Sequence, residues 1–325
     1  ELAKIVEKSR TKIKVVGAGG AGNNTVTRLM DAEITGIETI AINTDALQLL
    51  NSKAHKKLLI GKNTTRGLGA GANPQLGMEA AQESKEEIKE VLEGADMVFL
   101  TCGGGGGTGS GSLPIIAEIA KRLNALVIGV ITLPFSVEGK ERMRIARETI
   151  EKLQGLVNTL IVIPNDKLLE ICPEASLIDA FRICDEILIN AVKGIAELIT
   201  RPGIVNRDFA DIKTIMSDGG LAMIGLGESN SENRAKDSVE KAIKNPLLAV
   251  DINDAKGALI HIMSGPELKI NEVGEIIESV SSKLSQDAKI LWGATIDEKL
   301  KDVVKTLLIV TGVKSPQIFG TIDSS

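Results

Sequence analysis

Short apolar runs and longer helical periodicities alternate along the first half of the chain. Ile13 to Val16, Glu38 to Asn43, Met97 to Thr101, Ala125 to Thr132 and Leu160 to Pro164 have strand length. Ala21 to Met30, Met78 to Leu92, Leu113 to Leu123 and Lys140 to Leu153 lie between them with helical spacing. This alternation predicts a parallel sheet with helices on both faces. Sheets of that kind bind ligands in the loops at the carboxyl ends of their strands.

Ser176 to Thr200 predicts a helix of another kind. Ser176 and Asp179 form a variant of the capping box. Ile178, Phe181, Ile183, Ile187, Leu188, Ala191, Val192, Ile195, Leu198 and Ile199 then fall on nearly every face, which predicts burial on all sides. Pro202 and Gly203 end it. At ~1.5 Å per residue it would run roughly 37 Å, the length of a central strut between two domains. Beyond it, strand-like runs at Gly220 to Gly227, Gly257 to Ser264, Lys289 to Thr295 and Thr306 to Thr311 flank helical stretches at Glu232 to Ile243 and Asn271 to Leu284. That pattern predicts a smaller α+β domain.

Composition narrows the chemistry. The 325 residues are 43% hydrophobic and 25% charged, as in ordinary globular domains. The net charge of −5 argues against a nucleic-acid partner. No apolar stretch approaches the ~20 residues needed to span a bilayer. Cys102, Cys172 and Cys184 form no CxxC pair and read as buried thiols in a reducing cytoplasm. With only His55 and His261, a zinc site or a histidine triad is not expected. Glycine is the outlier: 33 residues, in clusters.

Gly17, Gly19 and Gly22 spell G-x-G-x-x-G between a strand and a helix, with Asp45 after the next strand. This is the dinucleotide fingerprint and opens a nicotinamide oxidoreductase reading. A second cluster weighs against it. Gly103 to Gly107 run unbroken into Thr108, Gly109, Ser110 and Gly111, again between strand and helix. Glycine lets successive N–H groups converge on one anion, and a helix N-terminus adds partial positive charge. Gly67 to Gly71 form a third such loop, ending in Ala72, Asn73 and Pro74. Three loops predict a polyphosphate gripped from several sides. No Walker A loop is present, because neither Gly61-Lys62 nor Gly139-Lys140 is followed by Ser or Thr.

At GGGGGTGSG, Gly103 to Gly111, the chain resembles the tubulin/FtsZ family. GAGGAGNN (Gly17 to Asn24), NTD (Asn43 to Asp45), GLGAGANP (Gly67 to Pro74), PFSVEGKERM (Pro134 to Met143), IPNDKLL (Ile163 to Leu169) and NRDFADIKTIM (Asn206 to Met216) follow in family order. The resemblance implies an α/β fold: a Rossmann-like GTP-binding domain over residues 12–175, a central helix over 176–203 and an α+β domain over 204–314. A helical extension over 1–11 and a flexible tail over 315–325 complete the expected division.

It also implies site roles. Gly19, Gly20, Ala21, Gly22, Asn23, Asn24, Ala70, Gly71, Gly105, Gly106, Gly107, Thr108 and Gly109 would surround the phosphates. Thr44 and Asp45 would lie near the γ-phosphate and Mg²⁺. Thr132, Pro134, Glu138 and Arg142 would hold the ribose and phosphate side, and Asn23 and Asn165 would touch guanine or its sugar. Phe181 would pack on guanine. Asp185, four residues on, would share its helix face and accept from the N1–H and exocyclic amine. Adenine presents an acceptor at N1 and would repel that carboxylate. In this family Asp208 and Asp211, with Asn206, act on the nucleotide of the next subunit. The implied protein is a cytoplasmic GTPase, bound to GTP or GDP, that polymerises head to tail at the division ring. Tethering or regulatory proteins are its implied partners and any membrane contact is indirect. No partner-binding peptide is recognisable after Phe319.

Overall fold

The computed structural model describes residues 10–200, 208–248 and 250–314. Chain order runs β1 (Ile13–Ala18), α1 (Gly19–Asp31), β2 (Ile37–Asn43), α2 (Ala46–Asn51), β3 (Lys56–Leu59), α3 (Pro74–Glu83), α4 (Lys85–Leu92), β4 (Met97–Gly103), α5 (Gly107–Arg122), β5 (Leu126–Leu133), α6 (Lys140–Gln154), β6 (Thr159–Pro164), α7 (Leu168–Ile171) and α8 (Leu177–Thr200). Then come α9 (Phe209–Met216), β7 (Gly220–Ser229), α10 (Arg234–Ile243), β8 (Gly257–Ser264), α11 (Ile270–Ser281), β9 (Lys289–Ile296) and β10 (Val304–Thr311). The alternation read from the sequence is thus present, with strand and helix ends shifted by a few residues.

All ten strands join one sheet, in the order β3-β2-β1-β4-β5-β6-β7-β10-β8-β9. Its first six strands are parallel in the doubly wound order 3-2-1-4-5-6. The order in which strands are added reverses between β1 and β4, where such sheets open a crevice. β6 pairs with β7 through Thr159↔Gly220, Leu160↔Leu221 and Ile161↔Ala222. The strands expected to form the smaller α+β domain are β7 to β10, and they extend the first sheet through the β6–β7 pairing and antiparallel β10.

Strands buried on both faces need apolar residues at successive positions. β1, β5 and β6 are buried along their whole lengths. Alternate residues feed two cores. Val16 and Ala18 face one, with Ile88 of α4, Ile116 of α5, Ile150 of α6, Val239 of α10 and Ile276 of α11. Ile13 and Val15 face the other, with Val26 of α1, Ile195 of α8 and Ile212 of α9. α8 lies across this second face, sharing its core with Phe99 and Val130 of the first strands and Leu259 and Leu307 of the last. It is a central helix packed on strands of both halves of the sheet. Its burial is one-sided at the start: Ile178 is 81% exposed and Phe181 40%. From Gly194 to Leu198 it is buried throughout.

Two further expectations change. The helix predicted over Met78 to Leu92 is broken at Ser84, whose hydroxyl accepts from the Gly61 N–H at 3.0 Å. Its first part begins earlier, with Pro74 at its start and the Asn73 side chain capping Gln75 and Leu76. The helix predicted from Leu113 begins at Gly107, inside the glycine run. The glycines there are needed for packing. A Cβ on Gly107 would lie 2.3 Å from the Gly71 oxygen, and one on Gly111 2.0 Å from the Pro74 oxygen. Gly77 of α3 would meet the Gly107 oxygen at 2.3 Å. α3 and α5 touch backbone to backbone.

Gly111→Ala is therefore expected to lower stability by about 1–3 kcal/mol, read as a lower urea midpoint. Gly155→Ala is the control. Gly155 has φ −83° and open space where a Cβ would stand, so this change should be neutral or stabilise by roughly 0.4–1 kcal/mol. Equal midpoints for the two variants would refute the packing role.

Candidate active site

β1 ends at Ala18 and α1 starts at Gly19; β4 ends at Gly103 and α5 starts at Gly107. The two helix N-termini abut. A Cβ on Gly19, whose φ is +71°, would lie 3.0 Å from the Gly109 nitrogen. Neither helix carries a side-chain cap or an acid in its first turn. Their neighbours do have caps, Asp45 on α2 and Asn73 on α3. First-turn N–H groups have no partner within their own helix, and each N-terminus carries partial positive charge. Both ends open on one hollow of about 450 Å³, which suits an anion.

The loop 67–71 supplies the facing wall. The Gly69 N–H donates to the Thr44 oxygen at 3.1 Å, and the Gly107 N–H to the Gly71 oxygen at 3.2 Å. Gly69 and Gly71 both have positive φ. At the other end of the hollow stand Phe181, Cys184, Asp185 and Leu188 of α8. Phe181 meets Phe135 edge to face, ring centroids 5.3 Å apart. Asp185 is half-buried, and burial pushes its carboxyl above the usual range against the pull of Arg28. Arg28 Nε stands 3.2 Å from Asp185 Oδ2. Burial pushes the Cys184 thiol up to about 12, so it is an inert wall. Glu138 accepts from the Phe135 N–H at 2.9 Å and pairs with Arg142. Asn165 is buried at the edge of the hollow, and its Oδ1 has no hydrogen-bond partner among the described residues.

Gly19, Gly20, Ala21, Asp45, Ala70, Gly71, Gly106, Gly107, Thr108, Gly109, Thr132, Pro134, Glu138, Arg142, Asn165, Phe181 and Asp185 all line this hollow. Gly22, Asn23, Asn24, Thr44 and Gly105 do not. Gly22 is there for space: a Cβ would meet the Thr101 oxygen at 2.6 Å. Asn23 was expected at guanine but is buried beneath the site. Its Nδ2 donates to the Gly17 and Ile42 oxygens and its Oδ1 accepts from Asn43 Nδ2, so its polar atoms already hold β1 to β2. Asn24 is exposed on the outer face of α1. Thr44 is buried, its hydroxyl 2.6 Å from that of Thr108. Gly105 is wedged against the Arg142 backbone.

Outside the motifs it named, sequence reasoning missed Gln48, Cys184 and Leu188 in the lining. A signal existed for all three. Gln48 is three residues after Asp45, and Cys184 and Leu188 continue the Phe181 face at helical spacing.

The predicted catalytic acids are elsewhere. Asp208 caps the start of α9 by position, Asp211 lies in its first turn, and both are exposed. Asn206 falls outside the described residues. Asp208 borders a different hollow, of about 840 Å³, with Ile13, Ile37 and Thr200. Ile13 and Ile37 begin the strands that Ala18 and Asn43 end, so the two hollows bracket the sheet. At ~3.3 Å per residue, β1 alone separates them by about 17 Å. Among the described residues no group of three or more His, Cys, Asp or Glu could hold a metal ion. No helix there is long and apolar enough to cross a membrane.

Two family models match the chain: the tubulin/FtsZ family, GTPase domain, over residues 12–173, and the FtsZ family, C-terminal domain, over residues 220–314. The chain is 57% identical over 315 residues to Cell division protein FtsZ 1 of Methanocaldococcus jannaschii, covering 97% of this chain and 86% of that one. It is 56% identical over 316 residues to Cell division protein FtsZ 1 of Thermococcus kodakarensis, covering 97% and 84%. The solved structure described as "FtsZ dimer, empty (M. jannaschii)" superposes with a TM-score of 0.92 at 56% identity, covering 96% of this chain and 91% of that one. With both family models matched and relatives more than half identical along nearly its whole length, the chain belongs to the tubulin/FtsZ family of GTPases.

Proposed function

We propose that this GTPase assembles head to tail and that each complete active site is shared by two copies. One observation carries the reading: Asp208, with Asp211 in the helix turn that follows it, borders a hollow at the opposite end of the strands from the anion hollow. The acids that do line the hollow are already engaged. Asp45 accepts from the Gln48 N–H, Glu138 holds the Phe135 N–H and Arg142, and Asp185 faces Arg28. A second copy stacked on the hollow would bring the exposed acids of its far end to it. Such a contact is heterologous and does not close, so it propagates as a filament. The relatives named above are cell division proteins, and the setting that fits this chain is the same process, in a cytoplasmic ring with tethering partners of unknown identity.

The uncapped ends of α1 and α5 would bind the phosphates, and Asn165 and the Phe181–Asp185 face would bind the nucleoside. Mg²⁺, usually held by one or two carboxylates together with substrate phosphates, fits a hollow with Asp45 at its rim and no metal cluster of its own. It would neutralise charge on the transferred phosphoryl group. Asp208 and Asp211 of the neighbouring copy would orient the attacking water. The nicotinamide alternative, in which Asp45 would hold a ribose, leaves the glycine loops 67–71 and 103–107 at the hollow without a role.

Phosphate release per molecule should rise steeply with protein concentration, with light scattering rising in parallel. Asp208→Ala should bind GTP and assemble yet hydrolyse at least ~100-fold more slowly, as expected for a lost group that positions water. Mixed with a variant defective only in nucleotide binding, it should recover part of the activity. Strict proportionality to concentration, or no effect of mixing, would exclude the shared site. Asp185→Ala should weaken GDP binding by about 10–100-fold, the worth of ~1.5–3 kcal/mol for hydrogen bonds to a charged group, with little effect on ADP. Equal losses for GDP and ADP in titration calorimetry would refute the guanine contact.

A further inference from the structure

Arg28 belongs to none of the family motifs that the sequence shows, and its place on α1 reads as an ordinary surface cation. The structure puts it beside the base end of the hollow. Its Nε lies 3.2 Å from Asp185 Oδ2, across the contact between α1 and α8. A carboxylate can accept from two adjacent guanine donors only when it is ionised and its plane is fixed. Left alone, Asp185 would be poorly suited to this. It is half-buried, Glu186 beside it adds like charge, and both effects favour the protonated form. The protonated form would present a donor to the N1–H of guanine and would tolerate the N1 acceptor of adenine.

We propose that Arg28 is a positioning residue for base selection: its guanidinium fixes the plane and the negative charge of the Asp185 carboxylate, so that guanine is distinguished from adenine. The inference rests on the reading of this hollow as a guanine-nucleotide site. Arg28 binds one carboxylate oxygen from the α1 side, and the carboxylate also lines the hollow itself. The other charged and titratable groups around it are Glu186 and Cys184 on α8 and the Glu138–Arg142 pair on the opposite wall. Glu138 and Arg142 satisfy each other, and Cys184 stays neutral with its thiol pushed up to about 12. Arg28 is thus the cation paired with Asp185 among the described residues.

The sign follows directly. A carboxylate must be ionised to accept from guanine, so affinity is lost as pH falls through the carboxyl pKa of the empty site. Burial places that loss above the range of an ordinary Asp, and Arg28 moves it back down. An opposite charge at this distance typically lowers a carboxyl pKa by about 1–3 units.

The test is calorimetric titration with GDP, IDP (which lacks the exocyclic amine) and ADP between pH 5 and 8. It compares the wild type, Arg28→Lys, Arg28→Met, Asp185→Asn and the Arg28→Met/Asp185→Asn double variant. Thermal melts establish that each is folded. Arg28→Met should bind GDP within about threefold of wild type at pH 8 and fall behind as pH drops, its midpoint at least about one pH unit higher and the gap reaching ~10-fold below both midpoints. Arg28→Lys should restore most of the wild-type profile. With Asp185→Asn the profile should flatten, and removing Arg28 as well should cost nothing further. Parallel profiles for wild type and Arg28→Met, whether offset or not, would overturn the proposal and leave Arg28 a packing residue. So would an Arg28→Met variant that does not fold, combined with an Arg28→Lys profile like that of Asp185→Asn. Should wild type bind ADP as tightly as GDP at pH 8, the guanine reading itself would fall, a result distinct from any Arg28 outcome.

Discussion

Two helix ends brought almost into contact set the terms for the rest of this molecule. Helix N-termini repel one another, because each presents unpaired N–H groups and partial positive charge. α1 and α5 are nonetheless held with Gly19 against Gly109, close enough that a Cβ would reach 3.0 Å from a backbone nitrogen. Several features make the approach feasible. β1 and β4 are paired in register as neighbours, so the turns that follow them must emerge side by side. Asn23 and Asn43 tie the ends of β1 and β2 together beneath the turn. The Thr44–Thr108 hydroxyl contact ties the second strand to α5. The uncompensated positive charge left at the centre suits an anion, which in the proposed reading is the nucleotide's polyphosphate.

Much of this was legible in the sequence, and the reason is steric. Glycine clusters between strand and helix are hard to explain other than by backbone closeness, and residues of all three line one hollow. The assignment of each glycine was less secure, since a glycine that admits a ligand and one that admits a neighbouring helix look alike in one dimension. Gly107 and Gly111 were read as loop, but they lie in α5 against α3. Asn23 sits within the motif yet points inward, because the nearest unsatisfied carbonyls lie below it. The continuity of the sheet was hidden for a different reason. The β6–β7 pairing joins residues far apart in sequence, and a short parallel register such as Thr159↔Gly220 leaves no local pattern. Arg28 was invisible because a lone cation on an amphipathic helix resembles any solvated side chain.

α8 links these observations. Its first turns line the base end of the nucleotide hollow, and its last residues, Ile199 and Thr200, line the second hollow beside Asp208. Between them, every residue from Gly194 to Leu198 is buried against strands from both halves of the sheet. A helix with one end at each hollow and its last turns fully buried is one continuous element between them, and close-packed interiors deform little.

The placement of the two hollows at opposite ends of the strands also makes the molecule a vector. An object with a cleft at one pole and its complementing acids at the other cannot stack symmetrically about its own middle. A row of such objects has unlike tips. In the assembly proposed above, one tip always carries a cleft without acids over it, and the opposite tip carries acids over no cleft. A row therefore holds one fewer complete site than it has members. The terminal nucleotide at the uncovered tip is the one that stays both intact and free to leave, so turnover inside the row and exchange at its tip are separate processes by geometry alone.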